Sequence, residues 1–190
     1  MTKTLIVPCH PRLDSLTMQV THAFCENAKG VAFEVADLYR EGFDPRLNVD
    51  DEPDWEDPRK VYSEAVLAEM ARIERNDATV MVFPVWWWSM PAMLKGWIDR
   101  VFNNGWAYGD RFYPHKHVWM LAVAGNDKKG YTKRNYDKAL NVQLKTGILD
   151  YCHVENPRLE TLYGAIEGEK HVSSLLKRSA ELGKEFASTL

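Results

Sequence analysis

The sequence predicts an α/β fold in which a five-stranded parallel sheet, of strand order 2-1-3-4-5, carries helices on both faces. Short apolar runs rich in β-branched residues recur along the chain, without the alternation of a half-exposed strand. Segments with apolar residues at helical spacing separate these runs. Crossovers of helical length join parallel strands, and 190 residues suit a single domain spanning 1–190.

The first half of the chain predicts a βαβ unit followed by a long loop. Residues 3–9 (KTLIVPC) predict a strand buried on both faces. Apolar residues recur at helical spacing over residues 15–28, and Gly30 follows as a stop signal. Residues 31–38 predict the second strand. Residues 39–59 hold three prolines and several acids, which predicts an irregular excursion.

Two further strand and helix pairs follow the loop. An apolar helix face from Tyr62 to Ile73 precedes the third strand, 78–84. Pro91 begins the next helix, because the first helical residue needs no N–H, and its apolar face ends at Val101.

The last part of the chain completes the sheet. Residues 117–125 predict the fourth strand, 137–149 a helix and 151–157 a weaker fifth strand. Apolar residues from Val172 to Phe186 predict the closing helix.

Composition excludes several classes of protein. A net charge of −3 and the lack of runs of like charge argue against a nucleic-acid partner. No apolar run has the length of a membrane span, and the apolar start is too short for a signal peptide. The three cysteines form no C-x-x-C pair, so reduced thiols in a cytoplasmic protein are expected. Because 12% aromatic residues, with 7 Trp, is a high share, a flat ligand or a large interface is expected.

The strand order places a ligand site at the carboxyl ends of strands 1 and 3, where the winding reverses. The loop after strand 1 has no dinucleotide or P-loop fingerprint. His10, Ser15 and Thr17 lie there at the start of a helix, which is typical of an anion site. An ordinary helix cap beside a surface histidine is the alternative, and for this loop alone it is the commoner case.

The loop after strand 3 contains three consecutive tryptophans. Adjacent side chains point in different directions, so a turn cannot bury all three in one core. Backbone N–H groups facing a flat heteroaromatic edge, with indoles beside the ring, explain the loop better. An isoalloxazine ring meets both requirements.

The segment FPVWWWSMPAMLKGWIDRVF at 83–102 and GWAYG at 105–109 resemble the flavodoxin-like NAD(P)H:quinone oxidoreductases. That family includes bacterial modulator of drug activity proteins and ancillary subunits of glutathione-gated potassium efflux systems. The loop HPRLDSLT at 10–17 is similar to the family's H-x-x-x-x-S-x-[NT] phosphate loop. The resemblance extends more loosely over nearly the whole chain. It implies a flavodoxin-like fold with a bound flavin.

The resemblance also implies roles for residues of three loops. The flavin phosphate would be held by His10, Ser15, Leu16 and Thr17. The ring edge would be bound through Pro84, Val85, Trp86, Trp87 and Trp88. The loop after strand 4 would add Gly125 and Asn126 to the cofactor site, with Tyr131 as the catalytic residue. Asp137 stands where the family has a histidine, so Lys128 and Lys129 would supply positive charge instead.

The implied activity is a two-electron, ping-pong transfer of hydride from NAD(P)H through flavin N5 to a quinone or similar electrophile. Trp87 and Trp88 would shape the substrate pocket, with Trp106 and Tyr108 as its mobile lid. In the family the partner subunit supplies that lid, which implies a homodimer. FMN is expected rather than FAD, because the chain ends soon after its last helix and offers no evident segment to cover an adenosine.

Two other functions stay open. One is a flavin-binding regulatory subunit of a potassium efflux transporter, a membrane partner that relatives in the family have. The other is a flavodoxin-type electron carrier. The aromatic enclosure and a net charge of −3, small for an acidic docking face, argue against the carrier.

No metal site is expected. His115 and His117 alternate at the start of strand 4 without a carboxylate or cysteine at ligand spacing, which predicts a solvated strand start. Cys9 has neither a cysteine partner nor an obvious base, which predicts a small buried residue rather than a nucleophile.

Overall fold

A parallel sheet forms the centre of the protein, whose computed structural model describes residues 2–57 and 59–190. The strands are β1 (Thr2–Pro8), β2 (Val31–Val35), β3 (Ala78–Pro84), β4 (His117–Val123) and β5 (Asn156–Leu162). Every neighbouring pair is parallel, and the order across the sheet is β2-β1-β3-β4-β5. The predicted fold class and strand order are confirmed.

Helices cover both faces of this sheet. They are α1 (Leu16–Asn27), α2 (Glu64–Glu74), α3 (Ala92–Val101), α4 (Lys128–Lys133), α5 (Tyr136–Leu140) and α6 (Glu169–Ala187). Successive strand residues point to opposite faces. Ile6 and Val80 therefore pack with α1 and α6, whereas Leu5 and Met81 pack with α2 and α3. Within the described residues, no helix is long and apolar enough to cross a membrane.

The segment between β2 and α2 is the predicted irregular excursion, with one short 3-10 turn at Val49–Asp51. One residue of the predicted loop, Pro58, lies outside the described residues. The loop packs directly on α3, where a Cβ at Gly96 would overlap the backbone of Pro45. Only glycine permits this close approach.

The fifth strand runs from Asn156 to Leu162. The prediction of 151–157 was wrong, because it begins and ends five residues too early. The predicted helix at 137–149 corresponds to α5 and a π-helical continuation, Asn141–Asp150. Apolar Cys152 and Val154, which suggested a strand, instead pack in the core just after that helix.

Candidate functional site

Loops after β1, β3 and β4 lie side by side at one end of the sheet. Hydrogen bonds between neighbouring strands continue into these loops: Cys9 N–H donates to the Val82 carbonyl and Val85 N–H to the Val123 carbonyl, each at 2.8 Å. The loops are therefore held in register with the strands. This is the edge at which open α/β sheets bind ligands.

The tryptophan turn, Trp86 to Ser89, closes a two-residue hairpin. Trp86 and Ser89 exchange backbone hydrogen bonds of 3.0 and 3.1 Å. Trp87 and Trp88 between them have φ values of 50° and 55°, as in a type I′ turn, where glycine and asparagine are usual. Trp86, Trp87 and Trp88 are 41%, 90% and 37% exposed, so none of the three indoles belongs to the core.

A cleft of about 230 Å³ opens beside the tryptophan turn. Its walls are Val85, Trp87, Trp88, Gly125, Asn126 and Tyr131. Each of these residues was expected from the resemblance to bind the cofactor or to act in catalysis, and the structure brings all of them to one place. The Trp88 ring packs on Tyr136 with a centroid distance of 4.5 Å, which fixes one wall of the cleft.

The loop after β1 contacts the same turn, since the rings of His10 and Trp86 lie edge to face with centroids 5.6 Å apart. Ser15 caps α1, its Oγ accepting a hydrogen bond of 3.3 Å from Met18 N–H. As first-turn residues, Leu16 and Thr17 have N–H groups without an intrahelical acceptor, and the helix dipole favours negative charge beside them. The Ser15 hydroxyl keeps its own hydrogen for a further acceptor.

His10 is held in one orientation by its own loop. The Arg12 N–H donates to His10 Nδ1 at 3.0 Å, so the neutral ring carries its proton on Nε2. Burial lowers the pKa of His10, and the positive charges of Arg12 and Arg40 act in the same direction. Arg40 was missed by the sequence analysis, yet its guanidinium donates to the carbonyls of His10 and Pro11, each at 2.9 Å.

Tyr131, which also lines the cleft, is held by two other tyrosines. Its ring packs edge-on against Tyr163 at 5.1 Å and against Tyr136 at 5.9 Å. Burial, followed by the neighbouring Tyr163, raises the pKa of Tyr131, which keeps the hydroxyl protonated near neutral pH. The Tyr131 hydroxyl is therefore a hydrogen-bond donor.

Asp137 and the lysine pair of α4 lie in the segment that contains Tyr131. Asp137 Oδ2 accepts a hydrogen bond of 3.3 Å from Thr132 Oγ1. Lys128 and Lys129 are exposed. A carboxylate thus occupies the position at which the resemblance implies a histidine, and two cations lie at the start of the same segment.

The two residues expected to form a lid lie elsewhere. Trp106 is only 8% exposed in this chain, and its Nε1 donates to Glu74 Oε1 at 2.8 Å. Tyr108 packs with Trp55 and Tyr151, at centroid distances of 5.6 and 5.4 Å. It lines a second cleft of about 310 Å³, which shares no lining residue with the first.

The prediction that His115 is solvated is wrong. The ring is 3% exposed; its Nε2 lies 2.9 Å from the Ile73 carbonyl and its Nδ1 2.7 Å from Thr79 Oγ1. The carbonyl can only accept, so Nε2–H donates and Nδ1 accepts from Thr79, whose hydroxyl in turn accepts from Tyr113. Burial lowers the pKa of His115, consistent with a neutral ring.

Cys9 is the small buried residue that was predicted. Burial raises the pKa of its thiol to about 12, far from the value of a reactive thiolate.

We expect acid to destabilise the protein through His115. Because the folded state holds this ring neutral, only the unfolded chain takes up the proton at first. Stability is therefore complete above the ordinary pKa of 6.5 and falls below it. Urea unfolding at about pH 7.5 and about pH 5.5 measures the loss. His115→Gln, which cannot titrate, should lose less stability between these two pH values than the parent; an equal loss would contradict the assignment.

The sheet order and the cleft at the switch point define this protein as a flavodoxin-like α/β protein with a cleft between the loops at that edge. A family described as "Flavodoxin-like fold" matches residues 2–184, and the chain belongs to this family. The resemblance found in the sequence is confirmed.

Individual relatives are named as oxidoreductases. The chain is 38% identical over 170 residues to an uncharacterized NAD(P)H oxidoreductase of Escherichia coli (strain K12), covering 87% of this chain and 86% of the relative. The structure is similar to the NAD(P)H:quinone oxidoreductase from Methanothermobacter marburgensis, with a TM-score of 0.92, 28% identity and coverage of 97% and 95%. A shorter match, 40% identical over 65 residues, joins 33% of this chain to 37% of a glutathione-regulated potassium-efflux system ancillary protein from Enterobacter sp. (strain 638).

Proposed function

We propose that the protein is a flavin-dependent NAD(P)H:quinone oxidoreductase with FMN as its flavin. The observation that carries the proposal is the cleft beside the tryptophan turn, which brings Trp87, Trp88 and Tyr131 together at the switch point of the sheet. The names of two relatives that are similar over most of the chain support the activity.

The residues around the cleft fit a flavin in two respects. The amides of Leu16 and Thr17, with His10 nearby, suit a phosphate group. Within the described part of the chain, neither the Trp87 nor the Trp88 amide donates to a backbone carbonyl. These two amides can therefore bind the polar edge of a ring, while the indoles pack against its flat surface.

A flavin bound here would supply the redox chemistry, the transfer of a hydride from a nicotinamide to an electrophile such as a quinone. The protein binds and orients the reactants. Trp87 and Trp88 would give flat substrates a surface to stack on. Tyr131 lines the cleft, and its protonated hydroxyl would donate to an acceptor there. Lys128 and Lys129, exposed at the start of the same segment, would add positive charge.

We also propose a cytoplasmic homodimer in which Tyr108 contributes to the partner's site. The support is the position of Tyr108, with Trp55 and Tyr151, beside a cleft that shares no lining residue with that of its own chain. Aromatic residues at such positions are common at protein interfaces. Sedimentation velocity measures the assembly, and a monomer at micromolar concentration would exclude the homodimer.

A regulatory role on a potassium efflux transporter is the second candidate. It is favoured by the match to the potassium-efflux ancillary protein over one third of the chain. Potassium efflux measured with and without this protein tests it, and turnover by the isolated protein does not count against it.

The experiment for the main proposal is the absorption spectrum of the purified protein, with the released cofactor identified by mass. A bound flavin that NAD(P)H bleaches and a quinone restores is the expected result. Protein that neither retains a flavin nor binds added FMN would overturn the proposal.

Replacing Ser15 and Thr17 together with alanine should weaken flavin binding at least tenfold. Each hydroxyl lost as a donor costs about 0.5–1.5 kcal/mol, and more toward a charged phosphate. Fluorescence titration of the apoprotein with FMN measures the change. Thr21→Ala is the matched control, because it removes a buried hydroxyl one turn further along α1 that donates to the Thr17 carbonyl. Unchanged affinity in the folded double variant would remove these residues from the site.

A further inference from the structure

Arg40 belongs to a tight turn at the carboxyl end of β2. Its backbone N–H donates to the Asp37 carbonyl at 3.0 Å, and the Phe43 N–H donates to the Leu38 carbonyl at 3.0 Å. The Asp37 carboxylate also approaches the guanidinium, with Oδ2 3.8 Å from Arg40 Nε. The backbone of Arg40 is thus fixed by the turn, and its guanidinium lies beside the Asp37 carboxylate.

From this turn the guanidinium binds the loop after β1 at two points. Nη1 donates to the carbonyl of His10 and Nη2 to that of Pro11, both at 2.9 Å. Two successive carbonyls therefore point at one side chain. The planar fork of arginine matches this arrangement, whereas the single ammonium of lysine does not.

The contact with Pro11 also fixes the next amide. A trans peptide is planar, with its C=O and N–H pointing in opposite directions, and no cis bond occurs among the described residues. When the Pro11 carbonyl faces Arg40, the Arg12 N–H must point away from it. That N–H donates to His10 Nδ1 at 3.0 Å. The orientation of one peptide plane thus connects Arg40 to the His10 ring.

We propose that Arg40 is a positioning residue of the cofactor site, which acts through the Pro11–Arg12 peptide to hold His10 as an Nε2–H donor toward the phosphate of the bound flavin. The inference rests on the proposed function for the identity of the ligand. Arg40 itself touches the loop's carbonyls rather than the ligand. Its own charge adds a favourable field for an anion, and the test separates this contribution from the positioning.

The first measurement needs no cofactor. In the ¹⁵N-labelled apoprotein, imidazole nitrogen shifts report whether His10 carries its proton on Nε2 or is a mixture of tautomers. The parent should show the Nε2–H form. Arg40→Lys, which keeps the charge but not the fork, and Arg40→Met should both show a mixture.

The second measurement is the titration of each apoprotein with FMN. Arg40→Lys should bind FMN about tenfold more weakly than the parent, the size expected for one lost charge-assisted hydrogen bond. The matched controls are Arg46→Lys and Arg46→Met. Arg46 lies in the same excursion and pairs only with Asp44 among the described residues, so both controls should bind like the parent.

The possible outcomes are distinguishable, and thermal unfolding shows first whether the variants are folded. A changed tautomer with weaker binding supports the proposal. An unchanged tautomer overturns it, as does parent-like affinity in Arg40→Lys; if only Arg40→Met then binds weakly, Arg40 acts by charge alone. A parent that binds no FMN overturns the proposed function and, with it, the role of Arg40 toward a flavin, whatever the tautomer measurement shows. If neither Arg40 variant folds, Arg40 is structural and the proposal falls.

Discussion

Replacing Asp51 with alanine should cost about 3–5 kcal/mol of the free energy of unfolding, because it leaves a buried guanidinium charged and without its partner. Asp51 is fully buried and Arg100 is 4% exposed, with Oδ2 and Nη2 2.6 Å apart. Ser63 adds two hydrogen bonds to the carboxylate, of 2.9 Å from its N–H and 3.0 Å from its hydroxyl. Burial opposes ionisation of Asp51, but the bonds from Ser63 and Arg100 outweigh it and lower the pKa.

Asp99→Ala is the control for this variant. Asp99 lies on α3 next to Arg100, but its pair with Lys95 is exposed, so its loss should change stability by no more than about 0.5 kcal/mol. The double variant Asp51→Ala with Arg100→Met should lose less stability than the sum of the single variants, since no charge then stays unpaired. Urea unfolding measures the parent, the single variants Asp51→Ala, Arg100→Met and Asp99→Ala, and the double variant. Equal midpoints for Asp51→Ala and Asp99→Ala would contradict the account of the buried pair.

Replacement with alanine should affect mainly stability at Trp97 and mainly activity at Trp87. Trp97 is fully buried and donates from Nε1 to Glu69 Oε2 at 2.8 Å, so its loss should cost about 3–5 kcal/mol of stability. Trp87 is 90% exposed, and its loss should change stability by no more than about 0.5 kcal/mol. In the proposed enzyme, however, Trp87→Ala removes a wall of the cleft and should change kcat/KM for quinones several-fold.

Trp86→Ala and Trp88→Ala complete this series, because their side chains are 41% and 37% exposed. Thermal unfolding and steady-state kinetics of each variant distinguish a residue that lines the cleft from one that packs in the core. If all three variants of the tryptophan turn lose stability as Trp97→Ala does, and keep parent-like kinetics whenever they fold, the turn is structural. The proposal that it forms a substrate site would then be withdrawn.

The central strands could be predicted because a strand that is buried on both faces has an almost uninterrupted run of apolar residues. β3, for example, is buried at every residue from Ala78 to Pro84, and its sequence ATVMVFP is almost wholly apolar. β5 is an edge strand, and its polar residues carry no such signal. Arg158 and Glu160 of β5 pair with each other at 3.0 Å, and Arg158 reaches Glu185 of α6 at 2.8 Å. The apolar residues before β5 were mistaken for the strand.

The edge of the sheet that carries the cleft could be predicted because loops after neighbouring parallel strands must meet there. Gly125, Asn126 and Tyr131 were named in advance only because the resemblance to the family implied them. Contacts made by single side chains between residues far apart in sequence could not be predicted. Arg40 reaches a carbonyl 30 residues away, and His115 binds a carbonyl 42 residues away. The position of Trp106 could not be predicted either, because an aromatic residue in a loop segment suits a lid and a core equally well.

The tryptophan turn has a consequence for how this sequence can evolve. Its two central residues, Trp87 and Trp88, adopt a backbone conformation that costs bulky residues about 1–3 kcal/mol and glycine almost nothing. Selection for thermal tolerance alone would therefore favour glycine or asparagine at these positions, and it would remove the indoles in the process. In a library of variants screened only for thermal stability, the first variants selected should have lost these side chains. In a library screened for turnover, the selected variants should retain them and be stabilised by substitutions at other positions.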